Sequence, residues 1–292
     1  MRRGGGSSGR PLLILALACS ILSVLIGLAL AQDGQDNFKK LLNEVQWTKG
    51  PATANLGPIA EIRLPKDYIA ASGDDTRRLM EAMENPPTGI EVGFVAPQTF
   101  KWFVVFEFDD IGYVKDDEKG SLDADAMLAA IKKGTEAGNK ERAKRGWPPI
   151  TIVGWERPPH YNPETQNLQW AVRARSEDDL VVNYNTRLLG RKGVMRVTLV
   201  TDPSRLPEVL PEFGALLKGF SFTRGNRYAE WVAGDKVAQY GLTALVVGGA
   251  TAVAAKTGLL KSLWKILVAA AVGAAALLRS LFGRGRKTEP AA

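Results

Sequence analysis

The sequence has very little of the chemistry on which most active sites depend. Its 292 residues include one histidine, His160, and one cysteine, Cys19. Zinc sites are built from several histidine or cysteine ligands, so these counts argue against zinc. A nucleophile activated by a base would have to use His160, and no G-x-S-x-G elbow follows residue 31 to supply a serine.

Charge is absent from residues 12–31, which follow three arginines set among glycines and serines. A positive start, an apolar run and the closing Ala29-Leu30-Ala31 predict a signal peptide, residues 1–31, cleaved after Ala31. An uncleaved anchor is the alternative, because a run of this length also spans a bilayer. Lipidation of Cys19 is disfavoured because a lipobox cysteine ends the apolar run.

Charge is also absent from two stretches near the C-terminus, residues 238–255 and 266–278. We predict that residues 237–282 form a membrane-anchoring helical region of one or two spans, followed by a basic tail, 283–292. The number and orientation of the spans stay open, because the positive residues favour different topologies. The alternative is a pair of soluble alanine-rich helices buried against the rest of the chain.

The net charge of +7 comes from the two ends of the chain. The first 31 residues carry 3 basic side chains, and the residues after 236 carry 7 basic and 1 acidic side chain. Removing these from the totals leaves 28 basic and 30 acidic residues in 32–236. The basicity therefore indicates membrane topology, and we expect no nucleic-acid partner.

Residues 32–236 predict one exported α+β domain, with a mainly antiparallel sheet and flanking helices. Apolar and polar residues alternate in several short stretches, which is typical of half-buried strands. Short polar or glycine-containing links join the last three stretches, so these predict an antiparallel meander. The alternating stretches are 60–64, 90–94, 168–174, 180–189 and 194–200, and the continuous apolar run 102–108 predicts a central strand.

Three segments of the domain predict helices. Residues 73–87 contain a short apolar face and end at two prolines. Residues 121–146 begin with acids and end with basic residues, an order that complements the helix dipole. A last segment, 202–217, predicts a helix that Pro211 should break or bend.

Four phrases of the sequence resemble a known family. They are WFVVFEFDDIGYVKDD (102–117), GWERPPHYNPETQNLQWA (154–171), VNYNTRLLGRKGVM (182–195) and GDKVAQYGLTALVVGGATAVAAKTGLL (234–260). In this order they resemble an uncharacterised family of Gram-negative bacteria, described as predicted membrane-anchored proteins with a domain of unknown function. The resemblance implies a place in the cell envelope and implies no activity. Where the family pattern has aspartate, this chain has Asn162.

The phrase GWERPPHYN, residues 154–162, holds the histidine. Two consecutive prolines favour an extended backbone, so we predict a stiff aromatic loop leading into the strand 168–174. Trp155, His160 and Tyr161 are candidate ligand-binding residues in this loop. The alternative is that they only cover the edge of the sheet.

Acidic residues are dense between Asp109 and Asp125. Such a segment offers oxygen ligands to Ca²⁺ or Mg²⁺, but its spacing does not match the EF-hand loop. We interpret it as a solvated turn and a helix cap, and we predict no metal and no cofactor. An alternative function, a hydrolase of envelope glycans or lipids, would use Asp109 or Asp110 with His160.

Three polar residues share one face of the predicted strand 180–189. Asn183, Asn185 and Arg187 are two residues apart, so their side chains point the same way. Two amides and a guanidinium in a row could grip a carboxylate, a phosphate or a sugar, and we take them as candidate ligand-binding residues. The alternative is that this row is the solvent face of an antiparallel sheet.

Together these patterns predict a membrane-anchored protein of the cell envelope. We expect it to be anchored in the inner membrane with its soluble domain in the periplasm. The lipid bilayer is one expected partner, and an envelope protein, lipid or glycan is a candidate second partner. We interpret the domain as a non-enzymatic binding or scaffolding module, and the sequence does not indicate its oligomeric state.

Overall fold

A computed structural model describes residues 37–118, 122–162, 164–165, 167–177 and 179–247. The described helices are α1 (37–44), α2 (Gly73–Ala82), α3 (Ala124–Lys144), α4 (Leu206–Leu217) and α5 (Leu242–Val247). The described strands are β1 (Thr48–Lys49), β2 (Ala52–Leu56), β3 (Ala60–Leu64), β4 (Tyr68–Ser72), β5 (Glu91–Pro97), β6 (Phe103–Asp109), β7 (Ile150–Asn162), β8 (Asn167–Ser176), β9 (Asp179–Leu189), β10 (Val194–Thr201) and β11 (Phe220–Phe222).

Eight of these strands form one sheet in the order β1-β4-β5-β6-β10-β9-β8-β7. Every neighbouring pair in it is antiparallel, and β8, β9 and β10 form the meander that the sequence predicts. The run 102–108 lies in β6, the fourth strand of eight, so its predicted central position is confirmed. A second, three-stranded sheet has the order β11-β3-β2. The predicted α+β fold with a large antiparallel sheet and flanking helices is confirmed.

The two faces of the large sheet are covered differently. We call face A the side that packs against α4 and the three-stranded sheet. Its core includes Val104 and Phe106 of β6 and Val197 of β10, all with no measurable exposure. Each such side chain contributes about 1.5–3 kcal/mol when it leaves water, so this face holds the layers together.

Face B, the opposite side, carries two separate apolar clusters. One lies under α1 and α2 and includes Leu79 and Phe94. The other lies under α3 and α5 and includes Met127 and Trp170. Since the clusters sit over opposite ends of the sheet, its middle strands are left less covered on this side.

The helices begin where their sequences provide caps. Ser72 Oγ accepts a hydrogen bond from the Asp75 backbone N–H at the start of α2, and Asp123 Oδ1 accepts one from Ala126 at the start of α3. The expected break at Pro211 is wrong, because α4 continues through that residue. Apolar contacts of Val209 and Phe213 with face A outweigh the hydrogen bond that proline removes.

The phrase GWERPPHYN is not a loop, as the sequence suggested, but the last nine residues of the thirteen-residue strand β7. This strand forms the edge of the sheet. Its pairing with β8 shifts register between Arg157 and His160, where Pro158 and Pro159 stand. Proline donates no ladder hydrogen bond, so an edge strand with a bulge is where two prolines fit a sheet.

The described end of the chain packs against the domain. Val237 pairs with Tyr113, and α5 buries Leu242 and Leu245 in the cluster under α3. Within residues 37–247, gaps excepted, no helix is long and apolar enough to cross a membrane. The signal peptide predicted for 1–31, the rest of the predicted anchor and the tail 283–292 lie outside the described residues.

Candidate functional site

A groove of about 520 Å³ lies on face B between α2 and α3. It lies over the uncovered middle of the sheet, and the two helices form its sides. Its floor comes from β6, β10, β9 and β8, and one end is closed by the start of β7. A concave site of this size is in the range that small-molecule ligands occupy, about 300–1,000 Å³.

The walls of the groove are mostly apolar. Methionines of α2 face branched aliphatic side chains of the edge strand and of the floor. The apolar lining residues are Met80, Met83, Phe103, Val105, Ile150, Ile152, Ala174, Val181 and Val200. Methionine adapts its shape to what it contacts, so this wall can fit apolar groups of varied outline.

Polar side chains lie on the floor of the groove, where the sequence predicted the row Asn183, Asn185 and Arg187. Asn183 and Thr198 both line the groove. Asn185, one row further on, donates through Nδ2 to the Asn183 carbonyl (3.0 Å) and accepts from Thr198 Oγ1 (3.4 Å). Asn185 therefore fixes the Asn183 backbone and the Thr198 hydroxyl. The side-chain amide of Asn183 remains available to a ligand.

Arg187 is on the same face but is buried, with 8% of its surface exposed. Its guanidinium carbon lies 4.5 Å from the centre of the Trp170 ring, and Nη1 donates to the Thr186 carbonyl at 3.3 Å. Nε has no partner among the described residues. Burial and then the nearby Arg196 lower the pKa of Arg187 to about 9, against the opposing pull of Glu107. The alternative that this row faces solvent is therefore wrong for Asn185 and Arg187.

Three acidic side chains of face B, Glu91, Glu107 and Asp109, have local partners. Burial by itself would raise the pKa of Glu91, but hydrogen bonds from Thr88 and Gly89 bring it below its ordinary value. Thr88 Oγ1 also donates to Glu107 at 2.9 Å. Asp109 is ion-paired with Arg196. In the part of the chain that the structure describes, no three acidic, histidine or cysteine residues are grouped so that they could hold a metal ion.

Arg142 ties the two helices together at one end of the groove. From α3, its Nε donates to the Pro148 carbonyl (2.7 Å) and its Nη1 to the Glu84 carbonyl just after α2 (2.5 Å). It is only 7% exposed. The width of the groove is therefore set by a side chain that the sequence analysis did not single out.

The three candidates of GWERPPHYN do not form one site. Trp155 and Tyr161 lie on face B beneath α3, where Trp155 Nε1 donates to the Ala124 carbonyl (3.2 Å) and Tyr161 donates to Asp116 (3.2 Å). Burial raises the pKa of Tyr161 well above its ordinary value. His160 is exposed and pairs with Gln169, which places it on face A.

The pairing of acid and histidine required by the hydrolase is not formed. Asp109 ends β6 on face B and Asp110 directly follows it, whereas His160 lies on face A of β7. Four strand spacings separate these strands, which is ~19 Å along the sheet.

A second cleft, of about 710 Å³, lies on face A against β11 and the end of α4. Asn162, Asn167 and Gln169 of the β7–β8 hairpin line it. The sequence analysis did not group these amides, because the bulges of β7 hide their alternation.

The architecture is thus an antiparallel α+β sandwich whose main sheet has a groove on face B and a cleft on face A. The chain belongs to the family described as protein of unknown function, DUF2167, whose profile matches residues 48–279. The resemblance to an uncharacterised family is thereby confirmed. No curated protein matches the sequence significantly.

Distant likenesses to solved structures concern the fold. The cyanobacterial PsbP protein of Synechocystis shares 11% identity with a TM-score of 0.38, over 61% of this chain and 92% of that one. The Ran-binding protein Mog1p of Saccharomyces cerevisiae shares 7% identity with a TM-score of 0.31, over 64% and 98%. A Pseudomonas aeruginosa protein of unknown function shares 13% identity with a TM-score of 0.24, over 57% and 93%. Such values transfer no function.

Proposed function

We propose that the domain is a non-enzymatic binding module held at the membrane of the cell envelope, with the face B groove as its binding site. The observation that carries the proposal is the groove itself, which combines apolar walls with the Asn183 amide and the Thr198 hydroxyl on its floor. Ligand sites typically pair an apolar lining with a few placed polar groups.

Binding is favoured over hydrolysis because two acidic side chains near the groove already have partners. Glu107, at the rim of the groove, accepts a hydrogen bond from Thr88, and Asp109 is ion-paired with Arg196. Hydrolysis by the predicted acid and histidine would also need His160, which lies on face A and does not line the groove. On the floor of the groove, Asn183 and Thr198 present neutral hydrogen-bonding groups.

The lining indicates a single-chain lipid with an uncharged head. Methionine and aliphatic walls suit an acyl chain, whereas Asn183 and Thr198 suit hydroxyl or ester oxygens. Arg142, one of the two cations that line the groove, already donates to two carbonyls and lies near the Glu84 carboxylate (3.8 Å). The charged lining residues are three acids, Glu84, Glu107 and Asp179, and two cations, Arg142 and Arg175. A carboxylate head would therefore lose its hydration without meeting a net positive lining.

The groove is tested by filling it. Val200→Trp places a large ring on the floor, and Asn183→Leu removes the amide at similar volume. Monoolein binding to the full-length, detergent-solubilised protein is measured by displacement of a fluorescent acyl probe. We expect V200W to abolish binding and N183L to weaken it about two- to tenfold, the loss of one net hydrogen bond.

Val153→Trp is the matched control, because Val153 is 48% exposed on the edge strand and does not line the groove. It should bind monoolein as the unaltered protein does. The proposal fails if the unaltered protein does not bind monoolein, or if V200W binds it equally well. Tighter binding of oleate than of monoolein would contradict the uncharged head.

The membrane location rests on the sequence of the two ends. Residues 1–31 have the features of a signal peptide, and residues 248–282 continue the uncharged stretches that suggest an anchor. Since α5 packs into the domain, we place the start of the anchor after Val247 rather than at residue 237.

Fractionation tests this location. The full-length protein should stay with membranes after alkaline carbonate extraction, and protease added to spheroplasts should cut the domain. A variant truncated after Val247 should appear in the soluble periplasmic fraction. Recovery of the full-length protein in a soluble fraction, or resistance of the domain to external protease, would refute the location without affecting the groove.

A further inference from the structure

The face A cleft is separate from the groove and has different chemistry. Its floor is the β7–β8 hairpin with β9, and its far wall is β11 and the end of α4. The phrase GWERPPHYN ends in it: Asn162 lines the cleft, and His160 stands opposite the lining residue Gln169. Residues paired across two strands share a face, so His160 adjoins the cleft floor.

Two side-chain amides of the cleft floor, Asn162 and Gln169, have their oxygens engaged in hydrogen bonds, so their NH₂ groups are left to a ligand as donors. Asn162 Oδ1 accepts from the backbone N–H groups of Glu164 (2.9 Å) and Thr165 (3.3 Å), which leaves Nδ2 free to donate. Gln169 Oε1 accepts from the Tyr184 hydroxyl (3.3 Å), which leaves Nε2. A ligand that satisfies both nitrogens must present acceptor oxygens.

Two cations line the same cleft. Lys218 is exposed at the end of α4, and Arg227 uses Nε on the Phe222 carbonyl (3.4 Å) while both Nη groups remain as donors. Arg157 of β7 pairs with Ala171, a face A residue, so its side chain is on this face as well. No aspartate or glutamate is among the described lining residues. The cleft therefore favours a negatively charged ligand.

An apolar wall faces these donors. Leu188 and Leu189 on the floor, with Leu217 and Phe220 opposite, give the cleft a surface that a small hydrated anion would not use. A sugar ring has both parts: its C–H faces pack on apolar side chains, and its hydroxyl oxygens accept hydrogen bonds. A carboxylate or phosphate on that ring would meet the cations.

We propose that the face A cleft binds an acidic saccharide, a sugar that carries a carboxylate or a phosphate. The amides take hydroxyl oxygens, Lys218 and Arg227 take the anionic group, and the leucine and phenylalanine wall takes the ring. Charge-assisted hydrogen bonds from Arg227 set the orientation.

The test is titration calorimetry of the full-length detergent-solubilised protein at low ionic strength. The probes are galacturonic acid oligosaccharides, glucose 6-phosphate, neutral maltooligosaccharides and inorganic phosphate. The variant Lys218→Gln with Arg227→Gln keeps most of the side-chain length and removes both charges. The control, Lys132→Gln with Lys133→Gln, removes two exposed charges from α3 on the other face.

We expect at least one acidic sugar to bind, and the cleft variant to bind it about tenfold more weakly, the loss of charge-assisted contacts partly screened by water. The α3 control should be unchanged, and thermal unfolding should show both variants folded. Galacturonate binding alone assigns a carboxylate, and glucose 6-phosphate binding alone assigns a phosphate. The proposal is overturned if neither binds, if neutral sugars or inorganic phosphate bind as well, or if both double variants weaken binding equally.

Discussion

Replacing Arg142 by alanine should lower stability more than a surface change would, because this side chain bridges α2 and α3. Its Nε and Nη1 hold the carbonyls of Pro148 and Glu84, and its guanidinium carbon lies 5.7 Å from the Trp147 ring centre. The alanine variant leaves both carbonyls without their donor at a site that is 7% exposed in the intact protein.

The magnitude follows from these contacts. A hydrogen bond to a charged donor contributes about 1.5–3 kcal/mol, so losing two costs about 3 kcal/mol at the lower bound. The ion pair with the Glu84 carboxylate adds at most about 1 kcal/mol, because that side chain is 48% exposed and 3.8 Å away. For a domain of this size, a loss of about 3 kcal/mol lowers Tm by about 6–12 °C.

The assay is thermal unfolding of the full-length protein in detergent, followed by circular dichroism. Glu84→Gln is the control: it keeps the carbonyl that Arg142 holds and removes only the carboxylate charge, so Tm should fall little. Arg142→Lys should be intermediate, since one ammonium cannot reach both carbonyls. A Tm for R142A within experimental error of the unaltered protein would refute the claim that Arg142 stabilises the domain by bridging α2 and α3.

Three further changes test other parts of the structure. Leu242→Ala should cost about 2–5 kcal/mol in chemical denaturation, because Leu242 is fully buried beneath α3, and a negligible cost would mean that α5 is not part of the domain. The hydrogen bond from Arg191 lowers the pKa of Asp235 to about 2, so its stabilisation is complete above pH ~4 and disappears as the pH falls through about 2. Asp235→Asn should therefore flatten the acid limb of a Tm-against-pH profile, and an unchanged limb would contradict this. Gly193→Ala would put Cβ 2.1 Å from the Asp109 carbonyl oxygen and should cost about 3 kcal/mol, whereas normal stability would disprove the close β6–β10 contact.

The strands of the core could be predicted from local pattern because side chains alternate faces with a period of two. Residues 60–64 show this most simply: Ala60, Ile62 and Leu64 are buried, and the two polar residues between them are exposed. The meander of β8, β9 and β10 followed from the short links between alternating runs. These features depend only on neighbours in sequence.

Other elements depend on contacts far along the chain, which pattern does not reveal. The double proline of GWERPPHYN is tolerated because β7 lies at the edge of the sheet, and edge position is a property of topology. Helix α5 lies in a segment that looked like membrane anchor, because a buried apolar helix and a membrane helix share one composition. Its partner Met127 is more than a hundred residues away.

The placement of the polar row on one face was predicted correctly, whereas its role in ligand binding stays a prediction. Alternation placed Asn183, Asn185 and Arg187 on one face, but their burial depends on the helices and strands packed above them. Asn183 reaches the groove, whereas Arg187 is covered and stacks on Trp170. Alanine at all three positions, which on a solvent face would spare folding, should instead destabilise the domain, because truncating Arg187 leaves a cavity beside Trp170.

The same alternation explains how one sheet can carry two unlike sites. Asn183 of β9 faces the groove, and its neighbour Tyr184 faces the other side and fixes Gln169 in the cleft. Since the faces are separated by the thickness of the sheet, substitutions on one should leave the other intact. A ligand lost with V200W but retained with the Lys218 and Arg227 variant occupies the groove, and the reverse pattern assigns it to the cleft. A ligand lost with both would mean that the two sites are coupled through β9, which neither proposal alone predicts.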